Sequence, residues 1–304
     1  MKNKYSIICP EDIGEIRIDR YIADEYEELS RSYIQKLIKD GMVSVNGRSC
    51  KASLKVSPGD EIFFEAPEVK IPQIVPEDIP LDILYEDCDI IVVNKPKGMV
   101  VHPAPGHFSG TLVNALMYHC GSELSGINGV MRPGIVHRID MDTTGSLLVC
   151  KNDRAHAAIA KQLSDHSIKR VYTALVHGIL KNDEGRIDAP IGRHKTDRKK
   201  MAIDNNGRRA VTNYKVIERF DKYTLIECRL ETGRTHQIRV HLSSAGHPIV
   251  GDKVYCSIKS PFKLDGQTLH AGILGFIHPS TGEYVEIEAP LPDYFIALLN
   301  RIRQ

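Results

Sequence analysis

Tryptophan is absent from this 304-residue sequence, and aromatic residues make up only 6% of it. A broad aromatic platform for stacking single-stranded bases is therefore not expected. Charge bias is missing too, because 40 Lys and Arg face 39 Asp and Glu for a net charge of +1. Any footprint for a polyanion must then be local. No apolar run is long enough for a transmembrane helix, and the start, Met1-Lys2-Asn3-Lys4-Tyr5, lacks the apolar core of a signal peptide. These absences lead us to expect no membrane association and a cytoplasmic location. The seven cysteines (9, 50, 88, 120, 150, 228 and 256) are odd in number and never form Cys-x-x-Cys. That pattern argues for reduced thiols, not a disulfide framework or a zinc knuckle. Gly-x-Gly-x-x-Gly, Walker and Gly-x-Ser-x-Gly runs are all missing, which speaks against a nucleotide cofactor and a serine elbow. His236 and His241 stand five apart, off the i, i+4 spacing of a helical ligand pair, so no metal is expected.

What is present is the composition of an ordinary globular protein, 42% hydrophobic and 26% charged. The punctuation suggests two unequal domains. Residues 1–66 form a small module. In it Ile16, Ile18, Tyr21 and Ile22 begin an amphipathic helix, and Ser30 caps a second helix over Arg31 to Lys39. Val43-Ser44-Val45 then leads into the Asn46-Gly47 hairpin signal. Between Leu29 and Gly59 the bases Arg31, Lys36, Lys39, Arg48, Lys51 and Lys55 are opposed only by Asp40. This polarity fits a nucleic-acid face, although a solvated helix surface would look the same. Pro67, Pro72, Pro76 and Pro80 mark a linker over 67–80.

Residues 81–304 read as an α+β domain with a large, mostly antiparallel mixed sheet flanked by helices and loops. Asp89 to Val93 is a buried strand, and Met99 to His102 is expected to return as another. Thr111 caps a helix. Asp153 caps the next, whose Ala157, Ile159, Ala160 and Leu163 form a core stripe. Lys169 to Val176 alternates as a strand with Arg170, Tyr172 and Ala174 on one face. Ile191 to Lys215 carries Arg193, Lys195, Arg198, Lys199, Lys200, Arg208, Arg209 and Lys215 against Asp197 and Asp204, a basic hairpin suited to phosphates. Thr235 is expected to cap a helix with Ile238, Leu242 and Ala245 on its apolar face. The first turn of that helix is more polar than a structural helix needs.

The densest constellation is Gly134 to Cys150, in which His137, Arg138 and Asp140 stand between two apolar runs and Thr143-Thr144-Gly145 turns the chain. A carboxylate held this way could be a simple turn cap. It could also be an ionised nucleophile or base oriented by neighbouring arginines.

Several ordered runs together resemble one family. They are Asn94-Lys95-Pro96, Val101-His102-Pro103-Ala104-Pro105-Gly106, His137-Arg138-Ile139-Asp140-x-x-Thr143-Thr144-Gly145, Lys169-Arg170-x-Tyr172, Thr232 to His241, and Gly246-His247-Pro248-Ile249-x-Gly251-Asp252. The chain resembles an RluA-type pseudouridine synthase of the RluD-like subgroup. Its first 66 residues resemble the αL-type RNA-binding domain of a small-subunit ribosomal protein, matched here by Ser30, Arg31, Lys36, Asn46 and Lys55. Ile139 replaces the family's usual Leu, a volume-conserving change.

The resemblance implies isomerisation of uridine in structured RNA, expected to be large-subunit ribosomal RNA, by a monomer without a cofactor. It implies Asp140 as the essential carboxylate, attacking covalently or removing the sugar 2′ proton. Arg239 would pair with it, Tyr172 would stack on the uracil, and Arg138 would fill the gap left by a flipped base. His137, His236 and His241 are expected to be structural, satisfying loop backbone. A non-catalytic RNA-binding or ribosome-assembly factor, a synthase acting on transfer RNA, and a metal-dependent RNA hydrolase are the competing readings.

Overall fold

The computed structural model describes residues 2–11, 13–26, 29, 31–67, 74–104, 106–121, 123–129, 132–197 and 199–304. Three expectations fall outside these: the Ser30 cap, Arg198, and linker residues 68–73. The chain divides into two compact units, Met1–Pro72 and Gln73–Gln304.

In the small unit, β1 (Lys2–Ile8), β2 (Ile16–Arg17), α1 (Ile18–Glu25), α2 (Arg31–Lys39), β3 (Val43–Val45), β4 (Arg48–Ser49), β5 (Lys55–Val56) and β6 (Glu61–Pro67) follow in order. β1, β6, β3 and β4 make one antiparallel sheet, and β2 pairs with β5. Asn46 (φ 49°) and Gly47 (φ 74°) both enter the left-handed region, which is what a two-residue hairpin with the native twist requires. Ile18 and Ile22 of α1, with Ile34, Leu37 and Ile38 of α2, bury against Ile62 and Phe64 of β6. Beneath them Asp19, with a side chain fully shielded from solvent, accepts from Arg17, Arg31 and Gln35.

The large unit continues with β7 (Ile83–Glu86), β8 (Ile90–Lys95), α3 (Leu112–Cys120), β9 (Thr144–Cys150), α4 (Asp153–Ser164), β10 (Lys169–His177), β11 (Glu184–Asp188), β12 (Ile191–Arg193), β13 (Met201–Ile203), β14 (Val211–Arg219), β15 (Tyr223–Leu230), α5 (Gln237–Ser244), β16 (Leu269–Ile277), β17 (Tyr284–Glu288) and α6 (Asp293–Arg303). Nine strands form one mixed sheet in the order β11-β14-β15-β10-β16-β9-β8-β7, with β17 beside β16. Among the described residues its one parallel pairing joins β16 to β9, through His270–Thr144 and Ala271–Gly145.

Period two explains how the sheet fills its two layers. Ile91, Val93, Leu147 and Val149 face α3 and α5. Their neighbours Ile90, Val92, Leu148 and Cys150 face α4, and Leu175 and Leu225 face Phe295, Leu298 and Leu299 of α6. Both faces are covered, so the central strands read as unbroken apolar runs.

Four local expectations are corrected. Met99–His102 is not a strand: both edges of β8 are taken by β7 and β9, and Val100 and Val101 instead accept from Leu112 and Val113 at the start of α3. Asn152, not Asp153, caps α4 by accepting from the Ala155 amide, while Asp153 takes the Ser125 hydroxyl. Ala157 and Ala160 are exposed, and Ala155, His156 and Ile159 are buried in their place. Ala245 lies exposed beyond the end of α5. No helix among the described residues is long and apolar enough to cross a membrane.

Candidate active site

The loop before β9 is fastened at several points, and this leaves Asp140 little choice of position. Lys95, 1% exposed at the end of β8, donates to the carbonyls of Pro96, Met99 and Met141 at 2.7, 2.9 and 2.9 Å. Burial pushes its amine down to about 7, against the opposing pull of the Asp142 and Asp140 carboxylates. His137 Nε2 accepts from the Leu148 amide at 3.0 Å. Desolvation pushes this imidazole down to about 3, which suits an accepting, uncharged ring. The Thr143 amide closes a turn onto the Asp140 carbonyl at 3.0 Å, and Gln267 holds the Thr143 hydroxyl. Gly145, at φ 108°, lies against β16 so closely that a Cβ would stand 2.3 Å from the Ala271 carbonyl oxygen.

Arg239 reaches Asp140 from the first turn of α5. Its Nη1 donates to Asp140 Oδ2 at 2.8 Å, and its Nε and Nη2 donate to Asp252 Oδ2 and Oδ1 at 2.7 and 2.9 Å. Asp252 Oδ1 also accepts the amides of Val254 and Tyr255 at 2.8 and 3.0 Å. Burial alone would weaken the charge on Arg239, but the hydrogen bonds and charges of Asp252 and Asp140 outweigh it and raise its pKa. Burial likewise opposes ionisation of Asp252, and Arg239 overcomes it, so that carboxyl sits below its usual range.

The helix begins without the expected Thr235 cap. His236 takes the N-cap position in the left-handed region, φ 57°, and makes no side-chain cap. The local polarity is instead organised by Gln237, which accepts from the Arg234 amide and the Thr232 hydroxyl and donates to Val211 and Thr212. His241 bridges Thr212 and the Ala189 carbonyl, a structural use. His236 departs from expectation. Its Nδ1 lies 2.7 Å from the Tyr255 hydroxyl, which also accepts the Met201 amide, and this contact turns Nε2 toward the carboxylate. That Nε2 stands 3.8 Å from Asp140 Oδ1. A non-glycine residue held at positive φ beside Asp140 is local strain of the kind found at functional sites.

These elements surround a small open cleft lined by Arg138, Asp140, Tyr172, Arg234, His236 and Arg239. Tyr172 is 8% exposed, and burial raises its phenol pKa. Arg138 is exposed at the mouth. The structure thus brings together Asp140, Arg138, Tyr172 and Arg239. Asp252, Lys95, Tyr255 and His236 were not singled out from sequence, although Lys95, His236 and Asp252 lie in the family-like runs.

Among the basic candidates, Arg31 has its Nε committed to Asp19 and Lys55 is paired with Glu15. Lys36 and Arg48 are exposed. The basic hairpin exists as β12–β13. A further turn lies at Asn205-Asn206-Gly207. Arg193, Lys195 and Lys199 are exposed on the hairpin, and Lys200 is half-buried. Two clusters approach metal-ligand geometry among the described residues, Asp87-Asp89-His278 and Glu86-His119-Cys120. In the first, Asp87 already accepts from Tyr85, His278 and the amides of Asp89 and Ile90. In the second, Glu86 is held by His119 and Lys151.

A cleft with one oriented carboxylate, an aromatic wall and an arginine at its mouth suits an enzyme that performs covalent or proton chemistry on a single flat base. Comparison with known proteins names that chemistry. Residues 89–244 match the family described as RNA pseudouridylate synthase, and residues 16–62 match the S4 domain. An uncharacterized RNA pseudouridine synthase of Bacillus subtilis is 53% identical, with 99% of each chain covered. Ribosomal large subunit pseudouridine synthase D of Zymomonas mobilis is 48% identical over 91% of this chain and 90% of its own length. The solved human RNA pseudouridylate synthase domain containing 1 is 26% identical, with a TM-score of 0.59 over 75% of this chain and 96% of that one. The chain belongs to the RNA pseudouridylate synthase family: it is an isomerase acting on uridine in RNA, preceded by an S4 domain.

Proposed function

We propose that the enzyme isomerises specific uridines of structured large-subunit ribosomal RNA, with Asp140 as its essential carboxylate. The observation that carries the reading is the unequal use of the two Asp140 oxygens. Oδ2 is taken by Arg239, while Oδ1 has no donor within hydrogen-bond distance among the described residues and faces the cleft. An ionised oxygen fixed from behind serves either route to the isomer, attack on the nucleotide or removal of its 2′ proton.

In both routes the C1′–N1 bond breaks, the uracil turns, and C5 bonds to C1′. The C5 proton is lost and N1 gains one, so nothing is oxidised and no water is consumed. Tyr172 forms the flat wall against which the loose uracil turns. Extruding the base costs a few kcal/mol of unstacking, and the planar guanidinium of Arg138 is shaped to occupy the gap. Arg31, Lys36, Arg48 and Lys55 on the S4 domain, and Arg193, Lys195, Lys199 and Lys200 on the hairpin, supply phosphate contacts, with Arg198 a further candidate from the sequence. The ribosomal substrate is supported by the names of relatives such as the Zymomonas mobilis synthase.

Pseudouridine mapping of total RNA tests both parts. A deletion strain should lose modification at defined large-subunit positions, wild-type enzyme should restore it, and Asp140→Asn should not. Restoration by Asp140→Asn would remove the catalytic assignment, and losses confined to transfer RNA would remove the substrate.

A further inference from the structure

The strand that delivers Tyr172 to the cleft also carries a buried charge without a counter-ion. Arg170, two residues earlier on β10, is 8% exposed, and its Nε and Nη2 have no hydrogen-bond partner among the described residues. Its charged neighbour is another cation, Arg234, and the nearby His137 ring is neutral. Arg239 shows how this fold treats a buried guanidinium when its purpose is structural: two carboxylates take three of its nitrogens. Arginine cannot escape by losing its proton, and an uncompensated buried charge is disfavoured. Glu231, the nearest acid in sequence to this group of arginines, is committed to Arg186, Arg209 and Asn213.

The remaining nitrogen of Arg170 has an outlet. Its Nη1 lies beneath Gly233, where a Cβ would stand only 2.5 Å away. Gly233 is exposed, and its backbone is not in the left-handed region that favours glycine. The missing side chain therefore serves as an opening and not as a turn. The next residue, Arg234, lines the cleft together with Arg138. Its Nε is fixed by the Arg209 carbonyl at 3.0 Å, a contact that anchors this guanidinium at one nitrogen.

We propose that Arg170, Gly233 and Arg234 form a phosphate subsite at the rim of the cleft, which takes one phosphodiester of the RNA strand next to the uridine admitted to Asp140. The inference rests on that uridine entering this cleft. A phosphodiester supplies the missing anion, and a guanidinium pair matches its oxygens in shape and charge. Such a contact reads no base. It fixes the register of the strand, so that one nucleotide and not its neighbour faces the carboxylate. Arg170 stays unpaired in the free protein and so remains available to the RNA.

The test uses the full-length protein and a synthetic stem–loop RNA carrying a uridine identified by pseudouridine mapping. Phosphates flanking that uridine are replaced one at a time by neutral methylphosphonates. With wild-type enzyme one replacement should weaken binding about tenfold or more. Arg170→Met should weaken binding of the unmodified RNA by a similar factor, lose its response to that one replacement, and lower the salt slope by about 0.7. Its melting temperature should equal or exceed that of wild type, because an unpaired buried charge is gone, whereas a structural arginine would leave it lower. Gly233→Ala supplies a second route, since its clash falls on the far end of a flexible side chain; it should reproduce the binding loss. Binding by both variants equal to wild type, or a wild-type scan without a sensitive phosphate, overturns the subsite. If wild-type enzyme fails to modify the stem–loop at all, the reading of the cleft itself fails, a different and separable result.

Discussion

Replacing Asp252 by alanine removes the group that holds Arg239, and the distances indicate the size of the effect. The Asp252 side chain is completely shielded. It accepts two guanidinium nitrogens at 2.7 and 2.9 Å and two backbone amides at 2.8 and 3.0 Å. Alanine leaves those donors stranded. Breaking one side of a buried pair costs roughly 3–5 kcal/mol, and for a unit of this size each kcal/mol moves the melting temperature by about 2–4 °C. We therefore expect a fall of roughly 6–20 °C. Activity should fall further than stability does. Released from Asp252, Arg239 can turn a second nitrogen onto Asp140 and cover Oδ1, the oxygen assigned to the nucleotide in the proposed function.

The pH dependence separates the pair from generic damage. The Asp252 pKa is lowered in the folded protein because Arg239 outweighs the cost of burial. Its stabilisation is therefore complete above the unfolded value of about 4 and is lost as pH falls through the lower folded value. The gap between wild type and Asp252→Ala should be constant from about pH 7 to 5 and narrow below about pH 4. Circular-dichroism melts across that range, with single-turnover assays at a temperature where both proteins are folded, measure both effects. A variant that melts within about 2 °C of wild type and turns over normally would refute the clamp.

Three further outcomes follow from the same geometry. His102, His137, His156, His177, His236, His241 and His270 are all held below the ordinary imidazole range by burial. The unfolded chain therefore binds more protons below about pH 6.5, and the urea midpoint should fall steadily from there toward pH 5; a flat profile would contradict it. Gly145→Ala should destabilise by about 2 kcal/mol or more, from overpacking plus positive φ, because its Cβ meets the fixed Ala271 carbonyl; an unchanged melt would count against the parallel β9–β16 pairing. Charge reversal at Lys195 and Lys199 should weaken RNA binding equally across sequences and lower the salt slope by about 0.7–0.9 for each phosphate no longer neutralised; weakening confined to particular sequences would mean base recognition instead.

Features set by neighbouring residues were legible in the chain. The helix over Arg31–Lys39 follows from Ile34, Leu37 and Ile38, the hairpin from Asn46-Gly47, and β9 from its unbroken apolar run. Failures arose where a distant partner decides. Met99–His102 has strand-forming residues but no open strand edge to join. Thr235 has a capping side chain, yet Gln237 reaches across to β14 and sets the start of the helix one residue later. In the site, family resemblance singled out Asp140, Arg138, Tyr172 and Arg239. Asp252 stands in a family-like run without a role being assigned to it. The available signal was arithmetic: a buried guanidinium has more donors than one carboxylate oxygen can satisfy, so Arg239 required a second acid.

That second acid also bears on the role proposed for Asp140. An arginine paired with a single carboxylate makes a neutral couple, in which the cation draws charge away from the oxygen that must attack or take a proton. Here Asp252 holds two nitrogens of Arg239 and Asp140 receives one. The buried triad of one cation and two carboxylates carries a net negative charge, and Asp140 is the partially exposed member. Arg239 is thus held mainly by Asp252 and serves to position Asp140. Such a site would repel an incoming RNA if nothing balanced it. In the proposed phosphate subsite, Arg170 and Arg234, with Arg138 at the cleft, are the groups that would supply that balance to the RNA backbone.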